Sequence, residues 1–294
     1  DAVLYAPDNT PGNKTLFSKS VARTLLAKIY AEKPLRDYTK VIQYCDEVKE
    51  DGFDLVDDFS DLFGMNAAGT DAKMRNTKES ILEAQFTSGA GNWCTWMFGR
   101  DLVNWNNNFT WAKWVTPSRD LISAFKQEGD EVRFKESIVY YDCNWSNYYP
   151  SDNYPFMYKC RSANSSIIKY RYADVLLLKA EALIMQDTPD LEGAADIIDE
   201  VRDRAKLGAL PTSVRSNKNV LLNALLKERR LELAFEGQRW FDLVRLDKVE
   251  EVMNAVYAKD SGRKAQIYTF DKNSYRLPIP QSVIDANDKI HQNP

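Results

Sequence analysis

Residues 172–201, YADVLLLKAEALIMQDTPDLEGAADIIDEV, carry the clearest structural pattern in this sequence. In its first half, apolar and small residues recur at i, i+3, i+4 and i+7, at Ala173, Leu176, Leu177 and Ala180. The second half repeats this spacing at Ala194, Ile197, Ile198 and Val201. Because the period places these residues on one helical face, the stretch predicts two amphipathic helices joined by a short turn.

The same pattern recurs in residues 21–48, which read VARTLLAKIYAEKPLRDYTKVIQYCDEV. The matching positions are Ala22, Leu25, Leu26 and Ile29, then Val41, Tyr44, Cys45 and Val48. Two such hairpins indicate tetratricopeptide-type repeats of about 34 residues, which bury their apolar faces by stacking. Three or more copies are usual. We therefore expect other segments to complete the stack, either within this chain or on a part of the protein outside it.

A third helical region is predicted from about Asn217 to Tyr257, with Gly237 as a break or a close-packing point. Thr116 and Pro117 precede the apolar pattern of SRDLISAF, and they predict a helix that begins with Thr116 as its cap.

The segment ESILEAQF, residues 79–86, predicts a short strand, whereas residues 88–115 and 140–166 show no regular period. We therefore predict an all-α fold of stacked tetratricopeptide-like hairpins, with long aromatic-rich loops and little β structure. This fold is expected to form a single domain over residues 1–294.

Composition and charge exclude several classes of function. The chain has 294 residues, with 44% hydrophobic and 12% aromatic residues, which is typical of a globular protein. Its net charge of −4 argues against a nucleic-acid partner, because proteins that bind nucleic acids usually have a basic surface. No apolar run reaches the roughly 18 residues that a membrane-spanning helix needs.

The four cysteines, Cys45, Cys94, Cys143 and Cys160, are widely spaced and form no metal-binding pair. One or two disulfides could form in an oxidising compartment, although the spacing favours independent thiols. A zinc site or a Ser-His-Asp site would depend on His291, the only histidine. Because phosphate-binding glycine motifs are also missing from the sequence, no cofactor is expected.

The segment NWCTWMFGRDLVNWNNNFTWAKW, residues 92–114, holds five of the seven tryptophans without a helical or strand period. Indole faces stack on the C–H faces of sugars, and Asn, Asp and Arg side chains bond hydroxyl groups. The segment YYDCNWSNYYPSDNYPFMY, residues 140–158, is similar in composition. The ligand-binding candidates are Trp93, Trp96, Trp105, Asn107, Trp111, Trp114, Trp145, Tyr148 and Tyr149. The alternative is that these aromatics pack the loops against the helices.

Two charged segments resemble active or metal sites but have simpler explanations. In ERRLELAFEGQRWFDLVRL, residues 228–246, acids and arginines recur at i, i+3 and i+4, which favours structural ion pairs over catalysis. We expect these pairs to tie the last helices to the hairpin stack. In FDLVDDFSDLF, residues 53–63, four aspartates lack the spacing of a calcium loop, which favours a solvated capping loop.

Several stretches together resemble the SusD/RagB family of outer-membrane nutrient-binding lipoproteins. The strongest is ERRLELAFEGQRWFDLVRL, and RYADVLLLKAEAL, DEVRDRAKL, ESILEAQF and LPIPQSVIDAN follow the family order and spacing. The resemblance implies non-catalytic capture of an oligosaccharide or polysaccharide at the cell surface. The glycan would then pass to a SusC-like TonB-dependent transporter. Peptides or other nutrients are less frequent ligands of such proteins.

Family members are longer and carry a signal peptide and a lipidated cysteine at the N-terminus. The resemblance therefore implies that this chain is the C-terminal portion of a surface-exposed lipoprotein, with the lipid anchor outside it. The rival hypothesis is a tetratricopeptide-type scaffold that binds peptides or proteins in a concave groove.

Overall fold

The structure is a computed structural model that describes residues 2–87, 89–92, 116–143, 146–259 and 269–292. The chain divides into two compact units, Asp1–Gln238 and Arg239–Pro294. The expectation of one domain over residues 1–294 stays a prediction.

Helices dominate the described residues, as the sequence predicted. In chain order they are α1 (Ala2–Tyr5), α2 (Lys19–Ala31), α3 (Tyr38–Glu50), α4 (Ser60–Phe63), α5 (Arg119–Glu128), α6 (Glu131–Ser137), α7 (Tyr172–Met185), α8 (Leu191–Arg204), α9 (Thr212–Arg215), α10 (Lys218–Glu232), α11 (Arg239–Arg245), α12 (Val249–Lys259) and α13 (Gln281–Asp285). The strands are β1 (Ser80–Ala84), β2 (Ile138–Tyr141), β3 (Tyr154–Met157) and β4 (Ile167–Arg171). Short 3-10 turns cover Lys33–Leu35 and Lys272–Tyr275.

Both predicted helical hairpins are confirmed. Helices α2 and α3 form the first, and α7 and α8 form the second. Side-chain caps begin three of these helices: Ser18 accepts from the Val21 amide, Asp37 from the Lys40 amide and Asp190 from the Gly193 amide. In the fourth, α7, Arg171 precedes the helix directly from strand β4 without a side-chain cap.

One core holds the two hairpins and α10 together. Helix α7 lies at its centre, since it contacts α2, α3, α8 and α10 and is buried on almost every face. Small residues allow these close approaches, because Ala27, Ala173, Ala180 and Ala194 are fully buried. The fold class predicted from residues 21–48 and 172–201 is therefore confirmed.

Two small antiparallel sheets accompany the helices in the first unit. Strand β1 pairs with β4, so the strand predicted at residues 79–86 is confirmed. Strands β2 and β3 form a second sheet, with Ile138 opposite Met157 and Tyr141 opposite Tyr154. The prediction that residues 140–166 are irregular was therefore wrong in part. Because all four residues of β3 are buried, its sequence YPFM cannot show the alternation that marks a half-exposed strand.

The start of α5 also differs from the prediction. The helix begins at Arg119, and its cap is Ser118, whose hydroxyl accepts from the Leu121 amide at 3.1 Å. Thr116 therefore lies two residues before the cap. Both hydroxyl residues suit the capping position, and the tertiary partners of Thr116 decide between them. The break predicted at Gly237 is confirmed, since this glycine follows α10 with a φ of 76°.

The segment that begins with Glu228 supplies the acids of a buried ion-pair cluster. Glu232 on α10 accepts hydrogen bonds from Arg133 at 3.0 Å, from Arg171 at 2.5 Å and from Arg204. Burial alone would raise the pKa of Glu232, but the three guanidinium groups outweigh it and hold the pKa well below its usual value. The structural role predicted for this segment is confirmed, because these pairs join α10 to α6, β4 and α8.

Two acids of this segment, Glu228 and Glu232, face the protein interior and not the solvent. Glu228 and Glu232 follow the i, i+4 spacing of exposed helix pairs, yet both are buried and paired with residues distant in sequence. Asp242 and Arg245 form the predicted i, i+3 pair within α11, at 2.5 Å.

The second unit has its own aromatic contacts. The Phe270 ring lies 6.2 Å from the Trp240 ring and 5.9 Å from the Tyr257 ring. Asn254 on α12 bonds both backbone groups of Phe270, which fixes the segment that returns after α12.

We predict that Glu232→Gln lowers the free energy of unfolding by about 3–5 kcal/mol, because it leaves three buried guanidinium groups with one anion fewer. Urea unfolding followed by circular dichroism measures the effect. The matched control is Glu192→Gln, since Glu192 pairs with Arg215 on the surface, and there the loss should stay under about 1 kcal/mol. Equal effects of the two substitutions would contradict the prediction.

A second prediction concerns Asp174, which is buried on α7 and accepts from Lys28 at 2.6 Å and from Arg229 at 2.7 Å. Burial raises its pKa, but the two cations lower it further, so the net shift is downward. Because the folded pKa lies below the unfolded value of about 3.9, the stabilisation is complete above about pH 5 and is lost below it.

Asp174→Asn should therefore be less stable than the original chain near neutral pH. The difference should narrow as the pH falls from about 5 to about 3, the range in which unfolded carboxylates bind protons. Urea unfolding of both proteins at several pH values measures this difference. A difference that stays constant over the range would count against the ion pair.

Candidate functional site

Most of the predicted ligand-binding residues lie outside the described residues. These are Trp93, Trp96, Trp105, Asn107, Trp111, Trp114 and Trp145. Tyr148 and Tyr149 are described, and so are the residues on both sides of each tryptophan-bearing segment. The roles assigned to all nine residues stay predictions, and the flanking residues define what the site is attached to.

Asn92 anchors the chain immediately before the tryptophan segment. It is 3% exposed, and its amide donates to the Ala163 carbonyl at 2.8 Å. Its side-chain amide donates to the carbonyls of Ser165 at 2.8 Å and Ser162 at 3.1 Å. The start of the segment is therefore tied to the loop that joins β3 to β4. This buried asparagine uses its donors on backbone carbonyls, which satisfies both partners.

Tyr154 connects the other end of the tryptophan segment to the loop between β2 and β3. Its hydroxyl lies 3.2 Å from the Thr116 hydroxyl and 3.1 Å from the Ser146 hydroxyl. Thr116 directly follows the tryptophan segment, and Ser146 directly follows Trp145. The ring of Tyr154 is 1% exposed, so this connection is part of the packed structure. The two segments that the sequence singled out thus meet at their flanks.

Arg119, in the first turn of α5, holds Tyr148 and Tyr149 in place. Its guanidinium lies 4.3 Å from the centre of each tyrosine ring, within the range of a cation–π contact. It also donates to the Tyr148 carbonyl, while the Tyr149 hydroxyl donates to the Pro117 carbonyl at 2.7 Å. These contacts attach the loop between β2 and β3 to the start of α5.

The two tyrosines also belong to an aromatic cluster. The ring centres of Tyr148 and Tyr149 are 5.0 Å apart with an edge-to-face geometry, and Tyr149 lies 5.6 Å from Tyr154. Both are half-buried. Part of each ring is therefore packed within the protein, as the alternative hypothesis of loop packing predicted. The rest of each ring is exposed and accessible to a ligand.

Arg119 and Thr116 are contributors that sequence reasoning did not assign to the site. In the sequence, Arg119 is an ordinary residue in the first turn of α5. Its partners, Tyr148 and Tyr149, lie 29 and 30 positions further along the chain. No spacing rule connects residues at that separation, because only the fold brings α5 beside the loop between β2 and β3.

The remaining sequence candidates have structural partners. Lys73 pairs with Asp58 at 3.0 Å and Asp61 at 2.7 Å, and Lys78 pairs with Asp54 and Asp57 at 3.1 Å each. No group of His, Cys, Asp and Glu side chains in the described ranges has the arrangement of a metal site. Of the four cysteines, Cys45 and Cys143 are buried free thiols. Cys160 is also buried, and its Sγ donates to the Asn92 side-chain oxygen at 3.4 Å, whereas Cys94 lies outside the described residues.

The fold and the anchored aromatic loops define a helical-hairpin protein with a loop-borne recognition surface. The model of the SusD family matches residues 151–294. Two SusD-like proteins of Formosa agariphila also match. Protein P38 is 43% identical over 99 residues, 32% of this chain and 19% of that protein. Protein P2 is 34% identical over 139 residues, 45% of this chain and 26% of that protein.

Solved structures show the same fold. A SusD-like protein from Bacteroides fragilis has a TM-score of 0.72 at 21% identity, over 99% of this chain and 68% of that one. Surface glycan-binding protein A from Bacteroides thetaiotaomicron, in complex with laminarihexaose, has a TM-score of 0.74 at 19% identity. That alignment covers 98% of this chain and 66% of the other.

The family model and the two Formosa proteins confirm the resemblance to the SusD family that the sequence shows. The matched regions span 19–26% of the two Formosa proteins and 66–68% of the two Bacteroides structures described above. In the described part of the chain, no helix combines the length and the apolarity needed to cross a bilayer.

We predict that Tyr154→Phe loosens the attachment between the two segments, because Thr116 and Ser146 lose the hydroxyl that they share. The expected loss is about 0.5–1.5 kcal/mol in the free energy of unfolding. Amide hydrogen exchange should also become faster at Ser118 and at residues 146–149. The control is Tyr140→Phe, since the Tyr140 hydroxyl has no hydrogen-bond partner among the described residues. Unchanged exchange in Tyr154→Phe would count against the connection.

Proposed function

We propose that this protein binds an oligosaccharide or polysaccharide at the cell surface and does not transform it chemically. The observation that carries the proposal is the hydroxyl chain from Thr116 through Tyr154 to Ser146. It joins the two aromatic-rich segments at their flanks, and a rigid helical stack supports both. A glycan-binding surface needs such a preorganised support, because ordering a loose loop would oppose binding.

The chemistry of the two segments suits sugars. Tryptophan and tyrosine rings offer flat apolar faces to the C–H faces of a pyranose, and they lose little conformational entropy on binding. The intervening Asn107 and its neighbours would exchange hydrogen bonds with hydroxyl groups. In this proposal Trp93, Trp96, Trp105, Trp111 and Trp114 form one part of the surface. Trp145, Tyr148 and Tyr149 form the other part.

Two structural relatives suggest which glycan to test first. One is described as a laminarin-binding SusD-like protein, with a TM-score of 0.71 at 24% identity, and the other is the laminarihexaose complex. A β-glucan is therefore our first ligand, within a wider panel.

The ion pairs of three glutamates support the proposal of a non-catalytic role. Glu228, Glu232 and Glu236 look catalytic in the sequence, but arginine and lysine side chains engage each of them. A glycosidase needs two carboxyl groups that face each other across a sugar, and acids held in buried ion pairs do not meet that requirement.

The resemblance to the SusD family supports the further parts of the proposal. The bound glycan would pass to a SusC-like TonB-dependent transporter at the outer membrane. The protein would act there as a surface-exposed lipoprotein, with no nucleic acid as partner and no cofactor.

The test is native affinity electrophoresis in gels that contain laminarin, starch, xylan or mannan, followed by calorimetry on each positive. We expect retardation by one class of polysaccharide. Trp105→Ala or Trp111→Ala should weaken binding by about tenfold or more, as expected for a central aromatic contact. The matched control is Trp240→Ala, because Trp240 packs against Phe270 in the second unit. Unfolding curves establish that each variant is folded.

Two outcomes would contradict the proposal. If no polysaccharide slows the migration of the protein, the tested glycans are excluded as ligands and the peptide-binding scaffold is favoured. Retardation that survives both tryptophan substitutions would place the sugar elsewhere. A peptide scaffold would instead retain a peptide ligand when the loop tryptophans are replaced, since its groove is lined by helices.

A further inference from the structure

A cleft of about 450 Å³ opens in the first unit, beside β4. Its volume falls in the range of about 300–1,000 Å³ that is usual for small-molecule sites. The lining residues are Phe63, Met157, Lys159, Cys160, Ser166, Ile167, Ile168, Lys169, Phe235, Glu236 and Gly237. Tyr148 and Tyr149, the described tyrosines of the proposed glycan surface, are not among them.

The cleft wall is mainly apolar. Its apolar lining residues include Phe63, Met157, Ile167, Ile168 and Phe235. An apolar ligand placed here would lose its contact with water at no cost to any polar group of the wall, which favours binding. Sugars, whose hydroxyl groups surround each ring, would leave those groups without partners along such a wall.

One buried amine, that of Lys159, lies among the lining residues of the cleft. Lys159 donates to the Glu232 carbonyl at 2.8 Å and to Glu236 at 2.6 Å. An ammonium group has three N–H donors, and the described residues accept from two of them. Burial lowers the pKa of Lys159 to about 8, and Glu236 opposes part of that shift. The amine therefore remains mainly protonated at neutral pH.

The carboxylate of Glu236 already has a cationic partner in Arg171. Arg171 contacts Glu236 at two points, from Nε to Oε2 at 2.7 Å and from Nη2 to Oε1 at 2.8 Å. This two-point geometry is the strong form of an arginine–carboxylate pair. Glu236 consequently needs no cation from a ligand. The Lys159 nitrogen also lies 4.8 Å from the ring of Phe63, a lining residue, and one of its three N–H groups has no acceptor among the described residues.

A second cation lies in the same lining. Lys169 is exposed, and its one described contact is the Tyr170 ring, 6.0 Å from its nitrogen. Among the described residues, the lining has two ammonium groups, of Lys159 and Lys169, and one carboxylate, of Glu236. The resulting net positive charge favours an anionic group on a ligand that is otherwise apolar.

We propose that this cleft is a second binding site, and that it takes a small amphiphilic carboxylate. The apolar body of the ligand lies along Phe63, Ile167 and Ile168, and its carboxylate meets Lys159 and Lys169. Tyr148 and Tyr149 do not line the cleft, and we expect the cleft to be occupied without a bound sugar.

The test is calorimetric titration of the full chain with decanoate, and with 1-decanol as the uncharged ligand of the same chain length. Decanoate should bind more tightly than decanol. Lys169→Glu should weaken decanoate binding by about three- to tenfold and leave decanol binding unchanged, as expected for one partly exposed charge. The matched control is Lys135→Glu, an exposed lysine of α6 outside the lining, which should behave as the original chain does.

Ile167→Trp provides a second, steric test, because the larger ring would fill the cleft. It should abolish binding of both ligands, whereas Val220→Trp, on the exposed side of α10, should leave binding intact. Unfolding curves check that each variant is folded, and Lys169→Glu decides the question if Ile167→Trp is not.

Three results would overturn the proposal: no binding of decanoate, equal affinity for decanoate and decanol, or decanoate binding that Lys169→Glu does not weaken. None of these results would bear on polysaccharide retardation, so the cleft and the glycan surface can fail separately.

Discussion

The structure of the first unit depends on the buried carboxylate of Glu232. Three arginines reach it from different elements: Arg133 from α6, Arg171 from the end of β4 and Arg204 from the end of α8. Removing charges from water is costly, and it is tolerated here because each charge has several partners with short contacts. One acid on α10 thereby fixes the relative positions of a hairpin helix, a sheet strand and the helix that follows α5.

The cluster has consequences for both proposed sites. Arg171 and Glu79 place the start of α7 against β1, and the Glu232 carbonyl holds Lys159 in the floor of the cleft. The loop after Lys159 then receives Asn92, the residue that precedes the tryptophan segment. The residue that carries the buried cluster, Glu232, thus also holds the amine of the cleft through its backbone carbonyl. Rigid support of this kind is what loop-borne recognition requires.

Particular residues show how far sequence reasoning could reach. The periodic apolar positions of residues 21–48 and 172–201 predicted two hairpins, because apolar residues at helical spacing mark a helix. They did not predict which faces are buried, since Leu25 on α2 is exposed and α7 is buried on almost every face. Strand β3 was missed because four residues buried on both faces carry no alternation. The cap of α5 was placed at Thr116 instead of Ser118, because both residues suit a cap and only the contact with Tyr154 separates them.

The helical hairpins, the structural role of the segment from Glu228 and the resemblance to the SusD family could all be predicted from the sequence. The first two depend on spacing within a few tens of residues, and the resemblance depends on several short motifs in a fixed order along the chain. The packing of separate elements was needed to show that Glu228 and Glu232 face inward, that Arg119 holds Tyr148 and Tyr149, and that a cleft forms beside Lys159. Each of these brings together residues from separate elements, and local spacing carries no information about such contacts because they are created by packing.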